Sequence, residues 1–328
     1  MLKGVAILFM LYLHLFNQMP NVEQCTTFMS VGDLPLVHWL TRASNPVSFF
    51  LILGGYGMYI VWEKGDKHRY LRLFRLYSHY WLVLAVFVGI GAILYPNRYP
   101  GTMLTILKNV TSYHTTYNGE CWFLLPYVLI SFSSAYLFRI LSKVKAWKIL
   151  TVTYIISFIT SYIISRRVID GLFDNLWLYN PFLYFHEMFS FMLGAMAARE
   201  GWIKYLDKIK LTRWNWAVAV LLVIACCIIR VSVFCAPYPI LLMAVFLRAP
   251  KWGWVNKVLI ELGRKSMDMW FIHSWFCYYL FHDFIYSFQY PLLIFVVLVL
   301  ISYTCAVFVQ YVIRGIEWIW TKLSNEKM

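Results

Sequence analysis

The chain has 328 residues, of which 61% are hydrophobic, 20% aromatic and only 13% charged. A soluble domain carries roughly 25% charged residues, so a water-facing surface is excluded and lipid must be the solvent. The formal charge of +14 would suit nucleic acid, but no long soluble segment is present to hold such a site.

Inside lipid every backbone polar group must be satisfied internally, which leaves helices or a closed barrel. Barrel strands alternate over about ten residues, and no segment here does so. The apolar segments instead run to about 17–22 residues, the length of a spanning helix. These observations predict an all-α, polytopic helical bundle forming one membrane domain over residues 1–328. Ten spans are predicted, at about 2–19, 45–62, 76–95, 122–141, 149–165, 181–199, 214–230, 233–248, 267–288 and 292–313. Between spans seven and eight, Arg230 and the run Cys235-Ala236-Pro237-Tyr238-Pro239 leave only a tight turn. The first span resembles a signal peptide, but no small-residue cleavage site follows it and it carries His14, so it reads as retained.

With the N-terminus inside, alternate loops collect the basic residues. One inner loop, for example, holds Lys64, Lys67, Arg69, Arg72 and Arg75, and another holds Arg199, Lys204, Lys208, Lys210 and Arg213. The outer segments hold only Arg42, Arg98, Lys108, Arg166, Arg167 and Arg230. This bias predicts both termini on the cytoplasmic side. The seven cysteines show no zinc spacing. Cys25 and Cys121 fall in separate outer loops and could pair in an oxidising compartment.

Ionisable groups within spans are costly and therefore candidates for function. His14 follows Lys3 by close to three helical turns, so the two share a face about 16 Å apart. The competing reading is a histidine bonded to a neighbouring helix and a snorkelling lysine. The run His68-Arg69-Tyr70-Leu71-Arg72-Leu73-Phe74-Arg75 enters span three from inside. Arg72 and Arg75 are spaced to share a helix face and suit bidentate phosphate binding. Contact with lipid headgroups is the plainer reading of that pair. Two carboxylates lie at useful depth. Glu187 is about six residues into span six from outside, level with His14, and Glu120 sits just before span four. Either could orient His14 or hold a hydroxyl.

Several motifs in order resemble membrane acyltransferase family 3, which modifies bacterial surface polysaccharides and related glycans. Lys3 and His14 fit its basic residue, ten residues, then histidine. Phe49-Phe50-Leu51-Ile52-Leu53-Gly54-Gly55-Tyr56 resembles its second-helix pattern, with Gly54 in place of the usual serine. Arg72-Leu73-Phe74-Arg75 resembles its Arg-x-x-Arg motif, and Ser78 stands where proline is common. Cys121-Trp122-Phe123-Leu124, Phe189 to Gly194, Leu262-Gly263-Arg264-Lys265-Ser266 and Trp270-Phe271-Ile272-His273 complete the likeness. It covers almost the whole chain.

The resemblance implies acyl transfer, most commonly of acetyl, from cytoplasmic acyl-coenzyme A to a glycan hydroxyl outside a bacterial cytoplasmic membrane. Acetyl-CoA would be a co-substrate, with no permanently bound cofactor and no metal. Lys3, Arg72 and Arg75 would hold the donor phosphates. His14 would be the general base; Glu187 and Glu120 are candidates from their depth alone and are not carried over from the family. Trp122 and Tyr127 are candidate oxyanion donors, although an interfacial role for Trp122 has equal weight. His273 reads as structural or as lining the donor channel. The partners implied are acyl-CoA, a glycan acceptor and membrane lipid, not nucleic acid. The rival reading is a transporter or flippase of a lipid-linked sugar or small acid. Against it, no inverted repeat or pair of matching broken helices is evident.

Overall fold

The computed structural model describes residues 1–65, 69–208, 212–229 and 237–325. Most of the turn read between Arg230 and Pro239 lies outside these residues, as do His68, Lys67 and Lys210. Among the described residues, ten helices of eleven residues or more follow one another. They are α1 (Leu2–Phe16), α2 (Pro46–Glu63), α3 (Arg69–Leu94), α4 (Leu124–Lys143), α5 (Ala146–Arg166), α6 (Leu176–Arg199), α7 (Trp214–Ile228), α8 (Tyr238–Arg248), α9 (Gly253–Ser274) and α10 (Pro291–Asn325). The protein is 78% helical. The described strands are a two-residue pair, Ser30–Val31 with Leu34–Pro35.

Five helical segments are long and apolar enough to cross a membrane: Leu36–Glu63, Tyr70–Leu94, Gly119–Lys143, Ala146–Arg166 and Pro291–Ile319. Helices α1, α7 and α8 are apolar but shorter. Helix α5 turns Val152, Ile155, Phe158 and Ile159 outward. Such a face is tolerated when lipid covers it. The chain is a multi-pass membrane protein.

The predicted boundaries move at three places that matter. Helix α3 begins at Arg69, not near residue 76, so Arg72 and Arg75 are helical. Helix α6 begins at Leu176 and carries Pro181 within it. Helix α9 begins at Gly253, well before the expected residue 267. It then widens into a π-helical turn over Trp275–Tyr279.

Glycines set the helix crossings. A Cβ on Gly194 of α6 would overlap the Ile52 carbonyl of α2, and one on Gly55 of α2 would overlap the Phe191 carbonyl of α6. The two backbones therefore touch at a reciprocal pair of glycines, as small residues allow in lipid. Helix α1 crosses α9 in the same way. A Cβ on Gly4 would overlap the Leu259 carbonyl, and one on Gly263 would press on the Gly4 nitrogen at 3.1 Å. Helices α4 and α5 also pack on α6, and α10 packs on α9.

A buried polar chain ties α9 to its neighbours. His79 of α3 meets Asp268 of α9 at 2.6 Å, Nδ1 to Oδ1. Gln310 of α10 donates to the other Asp268 oxygen at 2.7 Å, and Lys265 donates to Gln310 at 2.6 Å. The buried Lys265 and Asp268 of α9 therefore each have a partner, as burial requires.

Candidate active site

His14 lies in the last turn of α1 and is buried. Its Nδ1 is 3.1 Å from Glu120 Oε2. Tyr278 OH stands 3.5 Å from the same nitrogen and donates to Asn17 Oδ1 at 2.8 Å. The His273 ring lies 5.1 Å from the His14 ring, centre to centre, and is tilted by 42°.

The segment before α4 is fastened to α9, and this places Glu120. Asn118 Nδ2 donates to the Phe271 carbonyl at 3.1 Å, and Ser274 Oγ donates to Asn118 Oδ1 at 2.7 Å. The Gly119 amide donates to Tyr279 OH at 2.8 Å. Trp270 Nε1 donates to the Glu120 carbonyl at 3.1 Å. The π-helical turn supplies both tyrosines, one to His14 and one to Gly119. A π turn re-aims side chains that regular helix would point elsewhere and is frequent at functional sites.

At the opposite end of α1 a cavity of about 720 Å³ opens between α1, α2, α3, α4 and α9. Lys3, Arg72 and Arg139 supply its positive charge, and Tyr127, Ser131 and Ser134 add hydroxyls. Gly54 leaves room for the Tyr127 ring, whose edge lies 3.5 Å from the place a Cβ would take. The deepest α9 residue in its lining is Met267. From there to His273 is about 9 Å along the helix.

The expected residues thus divide. His14 and Glu120 meet; Lys3, Arg72 and Tyr127 share the cavity. Arg75 does not join them. It is exposed and donates through Nε to Glu317 of α10 at 3.2 Å. Residues three apart on a helix diverge by about 60° at 100° per residue, enough to send one inward and the other across to α10. Glu187 is likewise elsewhere. It is buried in α6 beside a separate cavity of about 200 Å³ lined by Asn45, Ser48, Ser157, Ser161 and His186. Its carboxylate is 3.7 Å from His186 Nε2. Among the described residues no hydrogen bond or ion pair joins it to His14, so the carboxylate at the histidine is Glu120. Trp122 is half-buried, edge-on to Phe123 at 6.0 Å, and the indole bonded at Glu120 belongs to Trp270. Cys25 and Cys121 are both free thiols.

Two contributors were missed. Arg139 reads in sequence as one more inner-loop cation. Tyr278 is one aromatic among many. His273, read from the sequence as structural or as lining the donor channel, stands beside the His14 ring. The early start of α9 carries it to the level of His14.

A family model described as an acyltransferase domain, that of membrane acyltransferase family 3, matches residues 1–311. No curated protein matches the chain, and no solved structure does.

Proposed function

The chain belongs to membrane acyltransferase family 3, and from that membership we propose that this acyltransferase moves an acetyl group from acetyl-CoA to a hydroxyl of a surface glycan. The observation that carries the reading is the layout of α1. One end borders a basic cavity at Lys3, and the other holds His14 against Glu120. A donor with phosphates at one end and a thioester at the other suits such a layout. Lys3, Arg72 and Arg139 are suited to the phosphates by charge and, for the arginines, by their planar fork. The basic cavity then faces the cytoplasm of a bacterial cytoplasmic membrane, with both termini inside and ten spans, in keeping with the charge bias of the loops.

At the far end, Glu120 accepts from His14 Nδ1–H and so leaves the lone pair on Nε2. That nitrogen takes the proton of the acceptor hydroxyl as its oxygen attacks the thioester carbonyl. The new C–O bond forms, the C–S bond breaks, and the thiolate leaves with the electron pair. The proton held by His14 then passes to the thiolate, which returns the base to its starting form. The Asn17 and Tyr278 side is the approach for the acceptor, because Asn17 is exposed there.

The test is purified protein in nanodiscs with acetyl-CoA, followed by titration of binding and of released thiol. Binding with slow thiol release, abolished in His14→Ala while binding persists, is expected. No binding of acetyl-CoA, or thiol release that survives His14→Ala, refutes the reading.

A further inference from the structure

His273 is completely buried. Its Nδ1 lies 2.7 Å from the Trp270 carbonyl. A carbonyl only accepts, so Nδ1 carries the proton and Nε2 is left as a bare lone pair. That Nε2 is buried and has no hydrogen-bond partner. A buried acceptor without a donor has lost its hydration with nothing in return, a cost an apolar side chain of similar size would not carry. Packing alone therefore does not account for an imidazole here.

Position says what the lone pair could serve. The close crossing of α1 and α9 lies at Gly4 and Gly263. His14 is ten residues beyond the first and His273 ten residues beyond the second. Both helices therefore rise about 15 Å from that crossing, and the rings meet. Along α9, Met267 of the basic cavity comes first, then His273, then Tyr278. His273 thus stands beside His14 at the same height, above the cavity residue Met267, and Tyr278 lies one turn further on, toward Asn17. A ligand arm rising from the cavity toward His14 therefore comes level with both rings together.

We propose that His273 Nε2 accepts a hydrogen bond from an amide N–H of the acyl donor's pantetheine arm, seating the thioester beside His14. This rests on the acyl-CoA reading above. The arm carries secondary amides, the last of them close to the sulfur, so a sulfur level with His14 puts an N–H level with His273. Met267 lines the cavity and His273 does not, so the arm parts the side chains between them as it enters.

The test uses the full-length protein in nanodiscs and two probes. Acetyl-CoA has the arm; adenosine 3′,5′-bisphosphate has the phosphates without it. His273→Asn keeps a donor for the Trp270 carbonyl and removes the acceptor at the Nε2 position, whereas His273→Gln returns an amide oxygen there. His273→Asn is expected to raise the Kd for acetyl-CoA about tenfold, the worth of one hydrogen bond. His273→Gln should recover most of that loss, and adenosine 3′,5′-bisphosphate should bind all three proteins equally. Unchanged acetyl-CoA affinity in His273→Asn overturns the assignment, as does equal weakening of both probes, which would mean a structural role. A wild-type protein that binds neither probe removes the acyl-CoA reading itself.

Discussion

Replacing Glu120 by glutamine keeps the shape of the side chain and removes the charge opposite His14. The contact is 3.1 Å long, with the two side chains 10% and 20% exposed, so water screens it little. A hydrogen bond to a charged group contributes about 1.5–3 kcal/mol and a neutral one about 0.5–1.5. The difference, about 1–2 kcal/mol, corresponds to a fall in kcat of about 5- to 30-fold. The amide can also donate to Nδ1, which would move the lone pair off Nε2 and deepen the loss. The backbone of residue 120 should stay in place, because Trp270 holds its carbonyl and Tyr279 holds Gly119. Acetyl-CoA affinity should stay near wild type, since Glu120 does not line the basic cavity. The assay is thiol release over a range of acetyl-CoA concentrations, with Glu187→Gln as the matched control from the other cavity. If Glu120→Gln turns over at the wild-type rate, or Glu187→Gln loses as much, the assignment of the carboxylate is wrong.

Arg72→Ala should weaken acetyl-CoA binding by about tenfold or more, and Arg75→Ala should leave it within about threefold, because only Arg72 lines the cavity; titration of the two variants against wild type reads this directly. Gly194→Val should destabilise the fold by about 1–3 kcal/mol through overpacking against Ile52. Gly89→Ala, which meets nothing within 4 Å in the interior of α3, should instead raise stability slightly, by about 0.5–1 kcal/mol, through helix propensity. Burial pushes the Cys25 thiol up to about 11, and the thiolate is the reactive form. Alkylation of Cys25 should therefore be slow at pH 8 and still accelerating above pH 9, and a rate that levels off below pH 9 would contradict that burial.

Much of the architecture was legible because lipid imposes a simple demand on sequence. Apolar length predicts α2, α4 and α5 to within a few residues and the start of α10, which runs on past the predicted end to Asn325; Lys3 and His14 lie near the two ends of one helix, α1. Hydropathy fails at α9, where Lys257, Glu261, Arg264, Lys265 and Asp268 interrupt the apolar run. Those charges are tolerated because Lys265 and Asp268 find Gln310 and His79, partners 42 to 189 residues distant in the chain for the hydrogen bonds that neutralise them. No local pattern announces such pairing. The sequence left Glu120 and Glu187 as alternatives for a related reason. Depth along a span can be counted, but the direction in which a helix faces depends on its neighbours. Arg75 shows the same limit one turn away from Arg72.

The glycines give the motifs a physical meaning. In Gly54-Gly55 and Gly194, as in Gly4 and Gly263, the sequence pattern that suggested an acyltransferase consists partly of helix-crossing residues, not reacting ones. Gly4 sits beside Lys3, at the cavity, and fixes α1 against α9 at that level. Everything ten residues further out, including His14 and His273, inherits its registration from this contact. A side chain added at Gly4 would overlap the Leu259 carbonyl and must push α1 and α9 apart, and the displacement would be felt about 15 Å distant at the ring pair, without touching either imidazole. The distance from cavity to histidine is therefore a property of two packed helices. Such a pair holds a donor of fixed length more firmly than a loop would, since the backbone bonds of both helices resist stretching.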